Sequence, residues 1–476
     1  MRLNRYLLGS SLVAALGGLL FGFDTAVVSG TTEALKDVFQ LRESWLNLPG
    51  SFWLGFTVAS ALLGTIVGSI AVGRPTDVLG RRTVLIVIAT LYVVSSLGSA
   101  FPWNWTSFLL FRFVGGLAIG GASVVSPMYI AEIAPAAYRG RLVAITQFNV
   151  VLGILLAFFS NYLIAQMHLG ANEWRWMFGV VAIPSAVFFL LLFLTPNSPR
   201  WLMARGRSEE ARQVFRRLGA ADVEGELREI QASLDMTHHS LREPFFRRQY
   251  RRPILLAMAI AAFNQLSGIN ALMYYAPAIF AMAGADKGSA LLQAVAVGGT
   301  NLLFTMTAML VIDHFGRRKL MIVGSLGYII SLSSTAWAFY NYGDAFVAAA
   351  AALRSGGAVP AGVAAAAAVG SKTVLISLLL FVAAHAFGQG AVIWVFISEI
   401  FPNRVRARGQ ALGSFTHWFM AAAISWTFPM IAAISGAYAY TFYAVMMTLQ
   451  LLWVLFFMPE TKGVSLEQIQ RQLGIE

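Results

Sequence analysis

The sequence predicts an all-α membrane protein with twelve transmembrane helices in two six-helix halves. Of its 476 residues, 58% are hydrophobic and only 12% are charged, about half the charge of a typical soluble domain. Twelve apolar runs approach or exceed the roughly 20 residues that a helix needs to cross a bilayer. Two charged loop patterns also occur twice, at matching places in the two halves. Together these observations exclude soluble enzymes, secreted modules and disordered chains.

The twelve predicted spans follow one another with few long connections. The first run continues to Gly30 without a small-residue cleavage site, so it predicts an anchoring span and not a removed signal peptide. The predicted spans are 9–30, 51–73, 83–101, 106–130, 142–166, 176–195, 252–280, 290–313, 319–340, 373–398, 409–435 and 437–458.

The polar stretch 199–251 separates the first six spans from the last six. Leu and Val recur among its charges, and Ser208 followed by Glu209 and Glu210 is typical of a helix start, so we expect short amphipathic helices on the cytoplasmic face. The Ala-rich stretch 347–370 predicts an outer loop or a short surface helix. We therefore predict an N-terminal half at 1–198, linker helices at 199–251, a C-terminal half at 252–458 and a tail at 459–476.

Positive charge is distributed unevenly between the two sides of the membrane. If the connections alternate between sides, 27 of the 34 Lys and Arg fall on the side that holds both termini, six fall on the other, and Arg112 lies within a span. The positive-inside rule places the richer side in the cytoplasm. We therefore expect a multi-pass protein of the inner (plasma) membrane with both termini cytoplasmic. Topology explains the net charge of +12, so we expect no nucleic-acid partner.

Candidate residues for metal, thiol and nucleotide chemistry are missing. The chain has no Cys, and its six His lack metal-ligand spacing apart from the adjacent His238 and His239. The Gly-rich run from Gly115 to Gly121 lies inside a span, where small residues allow close helix packing and do not suggest a phosphate loop. We therefore expect no enzyme activity, no metal and no cofactor.

An internal repeat places acids and arginines at matching ends of spans. Each half has an Asp–Arg pair after its second span and a Glu–Arg pair, seven residues apart, after its fourth. One such cluster alone could be a topology signal, but topology does not require the acids. Charge-assisted hydrogen bonds here can clamp the halves together on the inside, which predicts a latch that favours the outward-open state. The predicted latch residues are Asp77, Arg81, Glu132, Arg139, Asp313, Arg317, Glu399 and Arg406.

Further motifs extend from the first span to the tail. They are Phe21–Gly30, Gly73–Arg82, Arg112–Gly121, Pro196–Leu202, Gln265–Asn270 and Pro459–Gly463. Together they resemble the sugar porter family of the major facilitator superfamily, which includes bacterial sugar–proton symporters and animal glucose facilitators. Val78 and Asn197 depart from the pattern, because the family usually has a basic residue and a Glu there. The resemblance implies the major facilitator fold, with a substrate site near the membrane midplane.

Two opposite charges lie inside predicted spans of the first half, Asp24 in the first and Arg112 in the fourth. An unpaired charge at bilayer depth costs at least about 2.5 kcal/mol, so pairing is the simplest arrangement. Burial favours the protonated form of a carboxyl, whereas a nearby guanidinium favours the ionised form. We therefore predict that Asp24 takes up and releases a proton as Arg112 moves. A static pair that only fixes packing is the alternative. In the family, an acid at this place accompanies proton coupling.

A sugar site should combine amides, which both donate and accept hydrogen bonds, with aromatic rings that cover the apolar face of a pyranose. Gln265 and Asn270 are about 140° apart on an ideal helix, but Ser267 and Gly268 can loosen that helix. The polar candidates are Gln147, Asn264, Gln265, Asn270 and Asn301, with Trp394 and Trp418. By the resemblance, Gln147, Gln265, Asn270, Asn301 and Trp394 match the family's sugar contacts, and Phe21, Tyr274 and Trp418 match its aromatic lining. Each amide alone could instead form a hydrogen bond between two helices.

The second half departs from the family pattern in ways that leave the sugar open. The family often has Pro and Asn where this chain has Ala391 and Ala421, and glucose facilitators have a Glu where it has Ala386. His385 and His417 are either hydrogen-bonded structural residues or titratable groups that modulate the response to pH.

We predict a secondary transporter, working as a monomer in the lipid bilayer. It imports a hexose or pentose such as glucose, galactose or xylose with a proton, by alternating access. A facilitative uniporter is one alternative, although it leaves Asp24 without a purpose. A porter for another polyol, or an exporter, fits the fold but not the amides. A nutrient receptor is a third, although such sensors usually have a long cytoplasmic tail.

Overall fold

The computed structural model describes most of the chain. The described residues are 4–41, 46–220, 222–240, 244–354, 358–402, 404–464 and 466–475, without the side chains at 136–137, 235–240, 313, 353–354 and 466–467.

Twelve helices in the described ranges are long and apolar enough to cross a membrane, which confirms the number and order of the predicted spans. We call them spans 1 to 12. They are Arg5–Gly30, Gly50–Ala71, Arg81–Ala100, Trp105–Ile133, Tyr138–Gln166, Gly170–Leu192, Arg248–Met282, Lys287–Ile312, Arg317–Ala352, Ala361–Ile400, Arg406–Ile434 and Gly436–Phe456.

Four spans in the described ranges consist of more than one helical segment. Span 10 contains a π-helical turn, and span 7 breaks near its middle. The segments are Arg5–Val27 and Val28–Gly30 in span 1; Gly170–Asn172, Glu173–Gly179 and Ala182–Leu192 in span 6; Arg248–Tyr250, Arg251–Leu266 and Ile269–Met282 in span 7; and Ala361–His385, Ala386–Gly390 and Ala391–Ile400 in span 10.

Short helices outside the spans include the predicted linker helices. The second linker helix begins at Ser208 with Glu209 and Glu210 in its first turn, as the sequence indicates. The linker helices bury an apolar face against one another, with Leu202 and Phe215 in that core. The short helices are Thr32–Val38, Gly73–Leu79, Pro199–Ala204, Ser208–Leu218, Val223–Ser240 and Leu466–Leu473.

The Ala-rich stretch 347–370 corrects one prediction, because it is neither an outer loop nor a separate surface helix. The helix of span 9 runs on to Arg354, and the helix of span 10 already begins at Ala361. Alanine has the highest helix propensity of all residues, so these runs extend the two spans instead of interrupting them.

The chain divides into two compact units. Unit 1 comprises Met1–Asp24, Ser60–Ile154 and Phe178–Pro244, and unit 2 comprises Thr25–Ala59, Leu155–Met177 and Phe245–Glu476. In unit 1, spans 2 and 4 pack through glycines. A Cβ atom on Gly116 would lie 1.9 Å from the carbonyl oxygen of Ala61. This contact confirms that the Gly-rich run of span 4 serves close helix packing.

The core of unit 2 ties spans 7, 10 and 12 to the tail. Its buried members include Ile260, Phe396, Val454 and Ile469, one from each of these four elements. The tail is therefore part of the packed structure and holds the ends of spans 7 and 12 together.

Candidate functional site

The buried charges of unit 1 form a direct ion pair. Asp24 lies near the end of the helix Arg5–Val27, and Arg112 lies in span 4. Arg112 Nη1 donates to Asp24 Oδ1 at 2.8 Å, and both side chains are buried. The guanidinium carbon also lies 5.3 Å from the centroid of the Phe178 ring, a distance typical of a cation–π contact.

This ion pair is incompletely hydrogen-bonded. Asp24 Oδ2 and the Nε and Nη2 atoms of Arg112 have no hydrogen-bond partner among the described residues. The hydroxyl of Tyr92, which lies in the electrostatic field of Asp24, also has none. A structural ion pair normally satisfies its remaining donors and acceptors, because leaving them unpaired in a low dielectric is unfavourable. The arrangement therefore suits a pair whose partners exchange contacts during function.

A break in span 7 brings the predicted amides of unit 2 together. Gly268 adopts a φ of +83°, a conformation that glycine enters without the steric penalty that a Cβ atom brings. Across this break, Asn270 Nδ2 donates to Gln265 Oε1 at 2.8 Å. Gln265 Nε2 in turn donates to Asn264 Oδ1 at 2.9 Å. The loosened helix thus places three amides in contact, where a regular helix would separate two of them.

The amides continue into a buried series of hydrogen bonds whose further members were not predicted from the sequence. Asn264 Nδ2 donates to Gln389 Oε1 at 3.5 Å, and Gln389 Nε2 donates to Gln450 Oε1 at 2.7 Å. Gln450 Nε2 then donates to Ser325 Oγ at 2.8 Å. Gln389 and Gln450 are fully buried. The available signal was a glutamine inside an apolar run, in span 10 and in span 12, where an unsatisfied amide is unfavourable.

One of the two intramembrane histidines joins this cluster. Gln265 Nε2 lies 3.3 Å from a ring nitrogen of His417. The His417 ring is 4.9 Å from the ring of Trp418 and 5.2 Å from that of Trp394, centroid to centroid. Trp394 is 41% exposed, whereas Trp418 is buried. Trp394 therefore presents an accessible indole next to His417, which in turn contacts Gln265.

His385 and Asn301 have hydrogen-bond partners outside this series of amides. The Nδ1 atom of His385 is 2.7 Å from the hydroxyl of Tyr328, which fits a hydrogen-bonded structural role. In span 8, the hydroxyl of Thr305 donates to Asn301 Oδ1 at 3.4 Å.

Three further candidates differ in burial. Tyr274 of unit 2 is buried. In unit 1, Phe21 is half-buried and Gln147 is exposed. Gln147 is therefore the most accessible amide of the predicted set.

In unit 1, one charged cluster joins the ends of spans 3 and 4. Arg81 Nε lies 2.9 Å from Glu132 Oε2, and Arg81 Nη1 lies 3.2 Å from Asp77 Oδ1. The hydroxyl of Ser198 donates to Glu132 Oε2. Arg82 donates to the carbonyl oxygens at the end of span 6, at 3.1 Å and 2.8 Å. The cluster therefore binds spans 3 and 4 to the segment after span 6.

Unit 2 repeats the same arrangement. Arg317 Nη2 lies 2.8 Å from Glu399 Oε1, and the hydroxyl of Thr461 donates to Glu399 Oε2 at 2.6 Å. Arg318 donates to the carbonyl oxygens at the end of span 12, at 3.3 Å and 2.6 Å. The glycines before these arginines, Gly80 and Gly316, share a φ near +89° and a ψ of 155°. The sequence repeat is therefore also a repeat of contacts.

Two predicted latch residues, Arg139 and Arg406, do not join these clusters, and a third cannot be placed in either. Arg139 is exposed and lies in the electrostatic field of Glu226. Arg406 Nε and Nη2 have no hydrogen-bond partner within the described part of the chain. The side chain of Asp313 lies outside the described residues. Within the described residues, Glu132 and Glu399 therefore form no ion pair with the arginines seven positions further on.

Comparisons with known proteins give one consistent result. The family model described as "Sugar (and other) transporter" matches residues 10–473. The D-xylose-proton symporter of Escherichia coli K12 is 38% identical to this chain over 498 residues, covering 98% of this chain and 96% of that protein. The arabinose-proton symporter of Bacillus subtilis is 34% identical, covering 97% and 94%. The solved structure of the xylose transporter XylE from E. coli superimposes with a TM-score of 0.82 at 36% identity, covering 98% and 100%.

Proposed function

The chain belongs to the sugar transporter family of the major facilitator superfamily, and from this we propose that it imports a monosaccharide in symport with a proton. The substrate is an aldopentose or aldohexose in its pyranose form, with xylose and glucose the first to test. The chain is a multi-pass protein of the inner (plasma) membrane. We place both termini in the cytoplasm, because 27 of the 34 Lys and Arg lie on their side, and we propose a monomer as the functional unit.

The observation that carries proton coupling is the ion pair between Asp24 and Arg112. A carboxylate and a guanidinium 2.8 Å apart and fully buried form a strong contact only while both are charged. Protonating Asp24 removes one charge and weakens the contact, which frees Arg112 to move. Arg112 has two guanidinium nitrogens without a partner among the described residues, so alternative contacts would stabilise it elsewhere. The pair is therefore suited to a proton-dependent switch.

Recognition of the sugar is assigned to the amides and indoles. The broken span 7 presents the Gln265 and Asn270 side chains, which donate to and accept from hydroxyl groups without introducing charge. Trp394, partly exposed beside them, offers an aromatic face to the apolar side of the ring. The remaining proposed contacts, which complete the predicted set, are Gln147, Asn264, Asn301, Phe21, Tyr274 and Trp418.

The transport cycle follows alternating access. Sugar binds from outside while Asp24 is protonated, the protein then opens inward, and sugar and proton leave together. Binding promotes this change only if the sugar prefers the state that closes around it. The two charged clusters, centred on Glu132 and Glu399, are proposed to stabilise the outward-open state and to rearrange when the inside opens.

The test is sugar uptake by purified protein in proteoliposomes, with and without an imposed proton gradient. We expect the wild-type protein to accumulate xylose or glucose above equilibrium when the outside is acid. Asp24→Asn should lose this accumulation but retain counterflow, because exchange of sugar needs no net proton movement. Accumulation that is unchanged in Asp24→Asn would refute the role of Asp24, and failure to transport any monosaccharide would refute the function. Equal transport by the wild type with and without the gradient would identify a facilitative uniporter.

A further inference from the structure

A cavity lies in unit 2, away from the amides of span 7. Its volume is about 640 Å³, and it lies between the start of span 7 and the end of span 12, with Leu473 and Gly474 of the tail at its edge. Arg248, Arg251 and Arg252 form its polar rim. Its walls are apolar along both spans, formed by Leu255, Leu256, Ala259, Trp453 and Phe457. The cavity is therefore amphipathic, with positive charge at one end and hydrocarbon at the other.

The rim concentrates positive charge at the N-terminus of a helix. All three arginines are exposed, and the helix of span 7 begins at Arg251. Arg252 Nη1 donates to the carbonyl oxygen of Gln472 at 2.9 Å. A helix N-terminus already carries partial positive charge and favours anions, so basic residues in the first turn are not placed there for helix stability. The positive-inside rule explains the side of the membrane but not the convergence of three arginines on one cavity.

The apolar part of the cavity is open at the outer surface of the protein. Leu255 is 54% exposed and Phe457 is 64% exposed, and both line the cavity at the ends of spans. A soluble anion would use the arginines but leave these apolar walls uncovered. A molecule with a phosphate at one end and a hydrocarbon chain at the other would cover both.

We propose that this cavity binds one anionic glycerophospholipid, such as phosphatidylglycerol or cardiolipin. The phosphate group contacts Arg248, Arg251 and Arg252, and one acyl chain lies along Leu255, Ala259 and Trp453. Basic pockets at the cytoplasmic ends of spans are suited to such headgroups. Bound lipid would offset part of the positive charge of the rim and hold the tail against the ends of spans 7 and 12. This site is independent of the sugar and proton sites.

The test measures lipid binding to the full-length protein in detergent, by native mass spectrometry with phosphatidylglycerol and with phosphatidylcholine. The variant Arg248→Gln/Arg251→Gln leaves Arg252 and its bond to the tail in place. Each arginine near the membrane surface contributes roughly 1 kcal/mol to the binding of an anionic lipid. We therefore expect the loss of two arginines to weaken phosphatidylglycerol binding about 30-fold. The control Arg216→Gln/Arg228→Gln removes the same charge from exposed positions on the linker helices and should leave binding unchanged.

A second variant tests the hydrocarbon contact without altering charge. Ala259→Phe fills the apolar part of the cavity and should weaken phosphatidylglycerol binding several-fold, whereas binding of soluble glycerol 3-phosphate should not change. Equal weakening in the linker control would show that general surface charge attracts the lipid, and would overturn the proposal. Competition by glycerol 3-phosphate at the affinity of the lipid would identify a free-anion site, and would also overturn it.

Discussion

At the scale of single residues, Asn197 and Glu460 occupy matching positions in the two repeats but carry different charge. Glu460 accepts the backbone N–H groups of Arg317 and Arg318 at 2.9 Å and 3.1 Å. It thereby caps the N-terminus of span 9. In the first repeat, the N-cap residue of span 3 is Gly80, which has no side chain to accept these N–H groups. The neutral Asn197, one of the departures from the family motif, therefore leaves this helix start without the carboxylate cap.

The substitution Asn197→Glu should stabilise the protein. A carboxylate at this position can accept the N–H groups at the start of span 3 and interacts favourably with the helix dipole. We expect about 0.5–2 kcal/mol, measured as a higher midpoint of thermal unfolding in detergent. Glu460→Gln is the reciprocal variant and should lower the midpoint. If only Glu460→Gln has an effect, the two helix starts are not equivalent.

Gln389 is expected to hold the sugar-binding amides in position. Gln389→Leu removes the bonds to Asn264 and Gln450, each worth about 0.6 kcal/mol between membrane helices. We expect a stability loss of about 1 kcal/mol and a several-fold rise in the Kd for the sugar, because Asn264 and Gln265 lose their fixed orientation. Gln410→Leu, at an exposed position of span 11, should change neither quantity. An unaltered Kd for the sugar in Gln389→Leu would show that this residue does not contribute to sugar recognition.

Asp24 and Gln389 differ in how well their contacts can be predicted from the sequence. A charge inside an apolar run is conspicuous, and its nearest opposite charge is easily identified, so the partners of the ion pair could be predicted. A buried glutamine gives a weaker signal, because an amide can bond to many groups. The chain from Asn264 through Gln389 to Ser325 depends on helix packing that no local pattern encodes.

At the scale of elements, the break in span 7 depends on the backbone conformation of Gly268. A Cβ atom at this position would lie 2.5 Å from the Tyr443 ring, and φ is +83°. We expect Gly268→Ala to destabilise the protein by at least about 1–2 kcal/mol and to weaken sugar binding. Gly343→Ala, in a helix with open space around the new methyl group, is the matched control. Equal unfolding midpoints for the two variants would contradict a strained break at Gly268.

The linker helix Val223–Ser240 should dock less stably as pH rises. Burial, and then the neighbouring Glu229, raise the pKa of Glu226 above its ordinary value of 4.5. A raised pKa means that the folded state favours the protonated form. The associated stability is therefore present below pH 4.5 and lost as pH rises through the higher value. Hydrogen exchange of amides 223–234, corrected for the intrinsic rate, should show greater protection at pH 4.5 than at pH 7.

Two substitutions check the origin of this pH dependence. Glu226→Gln should make the protection independent of pH in this range. Glu210 behaves oppositely, because its hydrogen bond with Arg207 lowers its pKa, so its contribution is lost as pH falls. Glu210→Gln should therefore leave the loss of protection above pH 4.5 intact. Protection that rises with pH in the wild type would contradict the role of Glu226.

Hydropathy predicted the spans well because the bilayer imposes length and composition on each helix separately. The start of the linker helix at Ser208 could also be predicted, because it depends on residues that are close together in the sequence. The prediction of an outer loop or a short surface helix at 347–370 was wrong. Low sequence complexity is typical of loops, but alanine favours helix. The extent of the break at Gly268 and the π-helical turn at Ala386–Gly390 depend on packing between spans.

At the scale of the whole molecule, substitutions of Asp24 and Arg112 should affect stability and proton coupling differently. Removing one partner of a buried ion pair leaves an uncompensated charge, which costs about 3–5 kcal/mol. Arg112→Met should therefore lower the unfolding midpoint strongly, since Asp24 stays buried. Replacing both partners avoids this penalty. The double variant Asp24→Asn/Arg112→Met should recover most of the lost stability.

Recovery of the fold should not recover uphill transport. The double variant has no group in this pair that binds a proton, so in proteoliposomes it should equilibrate sugar without accumulating it, whatever the imposed pH gradient. Counterflow should persist, because the amides of span 7 are unchanged. If the double variant accumulated sugar against its gradient, the proton would be carried elsewhere in the molecule, and the buried ion pair would be a packing feature. A double variant as unstable as Arg112→Met would instead show that the pair stabilises the fold by more than mutual charge compensation.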